Sequence, residues 1–213
     1  MIGNHTIRIK ICGFTDPEQA KAAALMGANA IGIVFAKSPR QVSPEKAKQI
    51  CLALPPFVQS VGVFVNEKPE KIRQIASFCH LDLIQLHGDE DPEFCSSLGL
   101  RVIKAFCIRD KQDIEKIHPY EGRVQGVLLD AWSRDSRGGT GRTFDWSLAK
   151  QACQSLALPV ILAGGLNPEN VTQAIKLVRP YGVDTSSGVE ESPGQKDPNK
   201  VQAFIGAVRS CHE

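Results

Sequence analysis

A thiol and a carboxyl group stand at the ends of two predicted strands, and these two groups are well suited to moving protons. Cys12 ends an alternating segment in which isoleucines share one face and Lys10 and Cys12 share the other. Asp130 directly follows the predicted strand at residues 124–129. A thiolate can accept a proton and a carboxylic acid can donate one. The pair therefore predicts acid–base chemistry if the fold brings both groups to one cavity.

Each of these interpretations has a simpler alternative. Lys10 would favour the Cys12 thiolate, but a buried cysteine is commonly inert packing. Asp130 would have to hold its proton until the reaction needs it, which burial under the polar segment 131–143 could favour. An aspartate at a strand end often only caps a turn. His87, just after another predicted strand, could orient a substrate or only support a neighbouring side chain.

Small residues after the last two predicted strands indicate an anion site. Gly164 and Gly165 follow the seventh strand, and Ser187 and Gly188 follow the eighth, which ends at Asp184. Backbone N–H groups can approach a ligand closely where side chains are absent, so these loops predict a phosphate cradle. The alternative is that the glycines serve only tight turns. No P-loop sequence occurs anywhere in the chain.

The elements that must position these groups form eight strand-then-helix units. Predicted strands occupy residues 7–12, 30–35, 58–65, 81–86, 101–106, 124–129, 159–163 and 181–184. Predicted helices occupy residues 16–26, 69–79, 110–117, 144–156 and 197–209, and three more begin near residues 43, 91 and 167. An open doubly wound sheet usually stops at five or six such units, whereas eight close a ring. We therefore expect one α/β domain over residues 1–213, a (β/α)₈ TIM barrel with its site at the carboxyl ends of the strands.

Composition argues against several other classes of protein. The 25 Lys and Arg are scattered among 23 Asp and Glu, which gives a net charge of +2 and no basic patch for nucleic acid. No apolar run is long enough for a membrane span, and the amino terminus lacks an apolar signal segment. Seven cysteines without a C-x-x-C pair predict neither a disulfide framework nor a metal site. A cytoplasmic chain without metal is expected.

Six short motifs occur in the order of a known family. They are KICG at 10–13, VGVFVN at 61–66, IQLHGDE at 84–90, LLD at 128–130, GGTG at 138–141 and SGVE at 187–190. Together they resemble the phosphoribosylanthranilate isomerase family over residues 9–204. Each string alone is weak, but six in register on the predicted strand ends are specific.

The resemblance implies a cofactor-free Amadori rearrangement in tryptophan biosynthesis. It would turn N-(5-phosphoribosyl)anthranilate into 1-(o-carboxyphenylamino)-1-deoxyribulose 5-phosphate. Asp130 would protonate the ring oxygen, Cys12 would take the proton from C2, and Arg40 would bind the anthranilate carboxylate. The other substrate-binding residues it implies are His87, Gly141, Gly164, Gly165, Asp184, Ser187 and Gly188. The expected partner is a small phosphorylated molecule, and the chain is expected to be a monomer or a homodimer.

Two other functions fit parts of the pattern. Another phosphosugar isomerase would also use a phosphate-binding barrel, but such relatives rely on paired carboxylates, which a thiol on the first strand argues against. A non-catalytic sugar-phosphate-binding barrel would keep the phosphate cradle without any need for Cys12 and Asp130. The effect of removing those two groups separates the three functions.

Overall fold

A computed structural model describes residues 6–130 and 146–212, and its strands form a closed parallel barrel. The strands are β1 Arg8–Cys12, β2 Ala30–Val34, β3 Gln59–Phe64, β4 Leu83–Leu86, β5 Val102–Cys107, β6 Gly126–Asp130, β7 Val160–Ala163 and β8 Gly182–Thr185. Each pairs with the next, and β8 pairs with β1 to close the ring. The predicted barrel is confirmed, and the open sheet is excluded. That residues 1–213 form one domain stays a prediction.

Helices connect the strands in sequence order. They are α1 Pro17–Met26, α2 Pro44–Ala53, α3 Pro69–Cys79, α4 Pro92–Ser97, α5 Lys111–Glu115, α6 Trp146–Ser155, α7 Val171–Val178 and α8 Pro198–Arg209. Several begin after an aspartate or serine whose side chain accepts backbone N–H groups of the first turn, as Asp16 and Asp197 do. In the described parts of the chain, no helix is long and apolar enough to cross a membrane.

The apolar residues of the barrel form two clusters. The larger cluster lies between the strands and the helices and includes Ile9 and Ile11 of β1. The smaller one includes Val61, Leu83 and Ile103 from neighbouring strands. Polar side chains such as Lys10, Gln85, Lys104 and Asp184 are nevertheless buried on the same strands. Burying such groups is costly unless they are paired, so their partners define the site below.

A short antiparallel hairpin after β8 is absent from the sequence prediction. It consists of β9 Glu190–Ser192 and β10 Gln195–Lys196, joined through Gly194 at φ 85°. Its strands are short and polar, so they carry no apolar alternation by which a strand could be recognised. The predicted polar segment 131–143 and the first two residues of the predicted helix 144–156 lie outside the described residues.

The hairpin is held to the barrel by a buried carboxylate. Glu190 Oε1 accepts hydrogen bonds from Arg40 Nε at 2.8 Å and from Lys196 Nζ at 2.8 Å. Lys196 Nζ also donates to the Cys12 carbonyl at 2.6 Å, at the end of β1. Burial raises the pKa of Glu190, but hydrogen bonding and attraction to Arg40 and Lys196 outweigh burial and lower it to about 2.

Acid should weaken the fold through Glu190. Its pKa falls from an ordinary 4.5 to about 2 on folding, so its stabilisation is complete above pH 4.5 and is lost as the pH falls towards 2. At 1.36 kcal/mol per pKa unit, the loss is about 3 kcal/mol. Urea unfolding at pH 5 and pH 3 should show a smaller acid loss in Glu190→Gln than in the unchanged protein. Glu191→Gln, an exposed neighbour, is the matched control; an equal acid loss in Glu190→Gln and Glu191→Gln contradicts the assignment.

Candidate active site

A cavity of about 280 Å³ opens at the carboxyl ends of the strands. Every predicted site residue within the described chain lines it, namely Cys12, Arg40, His87, Asp130, Gly164, Gly165, Asp184, Ser187 and Gly188. Gly141 lies outside the described residues. The strand ends therefore bring the candidate acid, base and anion-binding loops to one mouth. The role of each residue in binding or catalysis stays a prediction.

A buried ion pair joins the first and last strands beneath this cavity. Lys10 and Asp184 are direct partners in the β1–β8 register, and Lys10 Nζ lies 3.0 Å from Asp184 Oδ2. Burial lowers the pKa of Lys10, but attraction to Asp184 and Cys12 outweighs burial and raises it. Burial raises the pKa of Asp184 in spite of Lys10. Asp184 Oδ1 is buried and has no hydrogen-bond partner in the described structure, so it can accept from a ligand hydroxyl.

Cys12 is half-buried at the end of β1. Burial raises the pKa of its thiol, while the positive charges of Lys10 and Lys196 act in the opposite direction with less effect. Lys10 acts on Cys12 in the predicted direction, because its positive charge favours the thiolate, but burial acts in the opposite direction with the larger effect. Asp184, which is paired with Lys10, adds a smaller contribution, since its negative charge also raises the pKa of Cys12.

His87 connects the barrel interior to Asp130. Its Nδ1 lies 3.1 Å from Gln85 Nε2, and its Nε2 lies 3.4 Å from Asp130 Oδ2. His87 and Asp130 are both half-buried, whereas Gln85 is buried inside β4. The imidazole is therefore held between a buried amide and the candidate acid. It is placed both to support Asp130 and to face a ligand in the cavity.

Arg40 reaches the mouth by crossing Gly13, directly after β1. A Cβ at Gly13 would lie 2.5 Å from Arg40 Cδ, so a side chain there would displace the arginine stem. Arg40 Nε and Nη2 both donate to the Glu190 carboxylate, which fixes the plane of the guanidinium. Arg40 is a planar cation beside the cavity and is suited to binding a ligand carboxylate. In the structure its guanidinium is already hydrogen-bonded to Glu190.

The two glycine loops are joined to each other. Thr185 Oγ1 donates to the Leu166 carbonyl at 2.7 Å, and a Cβ at Gly188 would collide with that same carbonyl oxygen. Gly164 and Gly165 have φ values of 85° and 66°, a left-handed conformation that favours glycine. Close packing thus explains Gly188, and tight turns explain Gly164 and Gly165. The loops that contain these glycines both border the cavity.

Several polar residues around the mouth were missed at the level of sequence. Lys104 on β5 donates to the carbonyls of Gly88 and Ala105 at 2.8 and 2.9 Å and lies 3.4 Å from Glu90. Glu90 in turn accepts the Asn66 and Gly88 N–H groups, which fixes the loop that begins at His87. Lys104 could have been recognised from the sequence, because it is a charged residue within the otherwise apolar strand VIKAF.

Comparison with known proteins gives one consistent result. Residues 9–207 match the family described as N-(5'-phosphoribosyl)anthranilate (PRA) isomerase. A protein of that name from Moorella thermoacetica is 51% identical over 207 residues, which cover 97% of this chain and 92% of the relative.

Two solved structures of such enzymes are also similar. A dimeric phosphoribosylanthranilate isomerase from Thermotoga maritima, described as mutually generated monomers, has a TM-score of 0.85 and 42% identity, covering 96% of this chain and 99% of its own. The other, in complex with reduced 1-(o-carboxyphenylamino)-1-deoxyribulose 5-phosphate, has a TM-score of 0.86 and 44% identity with the same coverage. The chain therefore belongs to the phosphoribosylanthranilate isomerase family, a family of isomerases of tryptophan biosynthesis.

Proposed function

We propose that N-(5'-phosphoribosyl)anthranilate is isomerised in the cavity at the carboxyl ends of the strands, with Asp130 as the acid and Cys12 as the base. The observation that carries this proposal is the convergence of both groups on one cavity bordered by the two glycine loops. No metal or redox step is needed, because the reaction only moves protons and opens a ring.

The first step is ring opening by the acid. Asp130 gives its proton to the ring oxygen while the bond from C1 to that oxygen breaks, and the nitrogen lone pair forms an iminium with C1. The neighbouring His87 Nε2, 3.4 Å from Asp130 Oδ2, can stabilise the carboxylate that remains. The positive nitrogen then acidifies the C–H bond at C2, so a modest base is sufficient for the next step.

The second step is removal of the C2 proton by Cys12. The electrons of that bond form the C1–C2 double bond and neutralise the nitrogen, which gives an enolamine. The C2 hydroxyl then loses its proton and C1 gains one, which gives the ketone. A raised pKa makes the Cys12 thiolate a stronger base but a scarcer one at neutral pH.

The remaining site residues bind the two ends of the substrate in this proposal. Arg40 takes the anthranilate carboxylate with N–H groups beyond the two that Glu190 uses. The loops at Gly164–Gly165 and Ser187–Gly188 take the phosphate, and Asp184 Oδ1 accepts a sugar hydroxyl. His87 lines the sugar side, and Gly141 is assigned from the family motif alone. The substrate is thus a small phosphorylated molecule.

Removing either proton-transfer group should slow turnover by orders of magnitude without unfolding the protein. Cys12→Ser and Asp130→Asn should each lower kcat/KM by roughly 10²- to 10⁴-fold, the usual contribution of a positioned acid or base. The measurement is the decay of substrate fluorescence in freshly prepared N-(5'-phosphoribosyl)anthranilate. Cys153→Ser on α6 and Asp16→Asn at the start of α1 are matched controls that should retain full activity. Near-unchanged rates in Cys12→Ser or Asp130→Asn would contradict the proposed role. If the unchanged protein binds the substrate but does not turn it over, the non-catalytic barrel would be favoured.

The opposite end of the barrel supports assembly into a homodimer. A second cavity, of about 330 Å³, opens at the amino ends of the strands and is bordered by Val61, Leu83 and Ile103. Phe57 lies at its rim, is fully exposed and has φ 70°, an unusual backbone for so large an apolar residue. A two-fold axis would place the Phe57 of each copy against the cavity of the other. The Thermotoga maritima relative is described as dimeric, which supports a dimer over a monomer. The cytoplasmic location stays a prediction.

Sedimentation velocity at micromolar concentration should give a mass near twice the 23.2 kDa of the chain. Phe57→Asp should give the monomer mass, because it places a charge in the apolar contact. Val65→Asp changes a partly exposed apolar residue at the other end of the barrel; this variant is the control and should remain dimeric. A monomer mass for the unchanged protein, or a dimeric Phe57→Asp, would refute the interface.

A further inference from the structure

Gln85 is a buried amide that the reaction as described does not use. It lies in the middle of β4, is 2% exposed and lines the cavity. Its Nε2 lies 3.1 Å from His87 Nδ1, and its Oε1 is one of two buried side-chain atoms without a hydrogen-bond partner in the described residues. A buried polar atom without a partner costs free energy that a leucine at this position would avoid. A functional contribution of the Gln85 amide must therefore outweigh this free-energy cost.

The orientation of the Gln85 amide decides which nitrogen of His87 carries the proton. With the amide oriented so that Gln85 Nε2 faces His87 Nδ1, the amide donates and Nδ1 accepts, and a neutral imidazole then carries its proton on Nε2. That nitrogen is the one that faces Asp130 Oδ2. His87 is consequently a hydrogen-bond donor towards the acid.

The identity of the donor matters because of what Asp130 does in the proposed reaction. An N–H group directed at a carboxyl favours its ionised form, which is the state of Asp130 once its proton has passed to the ring oxygen. The other tautomer, with the proton on Nδ1, would present a lone pair to Asp130. It would then hold the very proton that the substrate must receive.

We infer that Gln85 is a positioning residue that keeps His87 in the Nε2–H tautomer, so that His87 donates to Asp130 as the acid loses its proton. Its inward place on β4 makes this arrangement rigid, since β4 pairs with β3 and β5 at Gln85 on both sides. The inference rests on the proposed role of Asp130, but the tautomer itself can be observed without turnover.

The direct test is ¹⁵N NMR of histidine-labelled protein at pH 9, where long-range couplings report which ring nitrogen carries the proton. The signal of His87 among the five histidines is identified by its loss in His87→Asn. The unchanged protein should show Nε2–H. Gln85→Glu, which offers only acceptors, should move the proton to Nδ1. Gln125→Glu is the matched control, because Gln125 Oε1 accepts the Val102 N–H at the far end of the barrel.

Kinetics decide whether the tautomer matters. At the same pH, Gln85→Glu should lower kcat by roughly tenfold or more while KM changes less than about twofold, since Gln85 acts through His87. Gln125→Glu should leave both constants unchanged. If Gln85→Glu does not fold, Gln85→Met, of similar volume, should still lower kcat at unchanged KM. An Nδ1–H ring in the unchanged protein, or an unaltered kcat in the Gln85 variants, would overturn the inference. An inactive unchanged protein with the Nε2–H ring would instead count against the proposed function alone.

Discussion

The buried ion pair between Lys10 and Asp184 is the interaction on which the arrangement of the mouth depends. It joins β1 to β8 across the seam where the ring closes, and both side chains are almost wholly removed from water. A buried pair of this kind is weak evidence for stability, because the cost of desolvating two charges offsets their attraction. The contribution of the Lys10–Asp184 ion pair is to position the two strands relative to each other. It fixes the strand that carries Cys12 against the strand whose loop borders the cavity, and it keeps one carboxylate oxygen available beside the thiol.

Two further buried clusters flank this pair, and each fixes one part of the site. Glu190 with Lys196 holds Arg40 and the end of β1, so the proposed carboxylate-binding cation and the proposed base are positioned together. Glu90 with Lys104 holds the loop that begins at His87, and Gln85 supports the ring of that histidine from below. The proposed catalytic groups Cys12 and Asp130 are half-buried, while the charged groups around them are buried.

The sequence predicts the barrel well because each strand-then-helix unit carries its own local signals, such as the capping Asp16 and the apolar run of β2. The residues of the mouth were predictable for a related reason: position directly after a parallel strand decides where Cys12 and Asp130 lie. The pairing of the buried charges beneath the mouth could not be predicted in this way. Lys10 and Asp184 are 174 residues apart, and their pairing depends on the register at which the ring closes. The raised pKa of Cys12 depends on burial, and the hairpin at Glu190 has no apolar pattern, so neither could be read from local sequence.

One thiol and one carboxylic acid are proposed to act on the same sugar from the same cavity. A crystal structure of this protein with reduced 1-(o-carboxyphenylamino)-1-deoxyribulose 5-phosphate, the ligand bound by a related enzyme, tests this proposal most directly. We predict Cys12 Sγ in contact with C2, Asp130 in hydrogen-bond range of the former ring oxygen, and the phosphate at Gly165 and Gly188. A ligand bound with C2 remote from Cys12, or bound outside this cavity, would contradict the account.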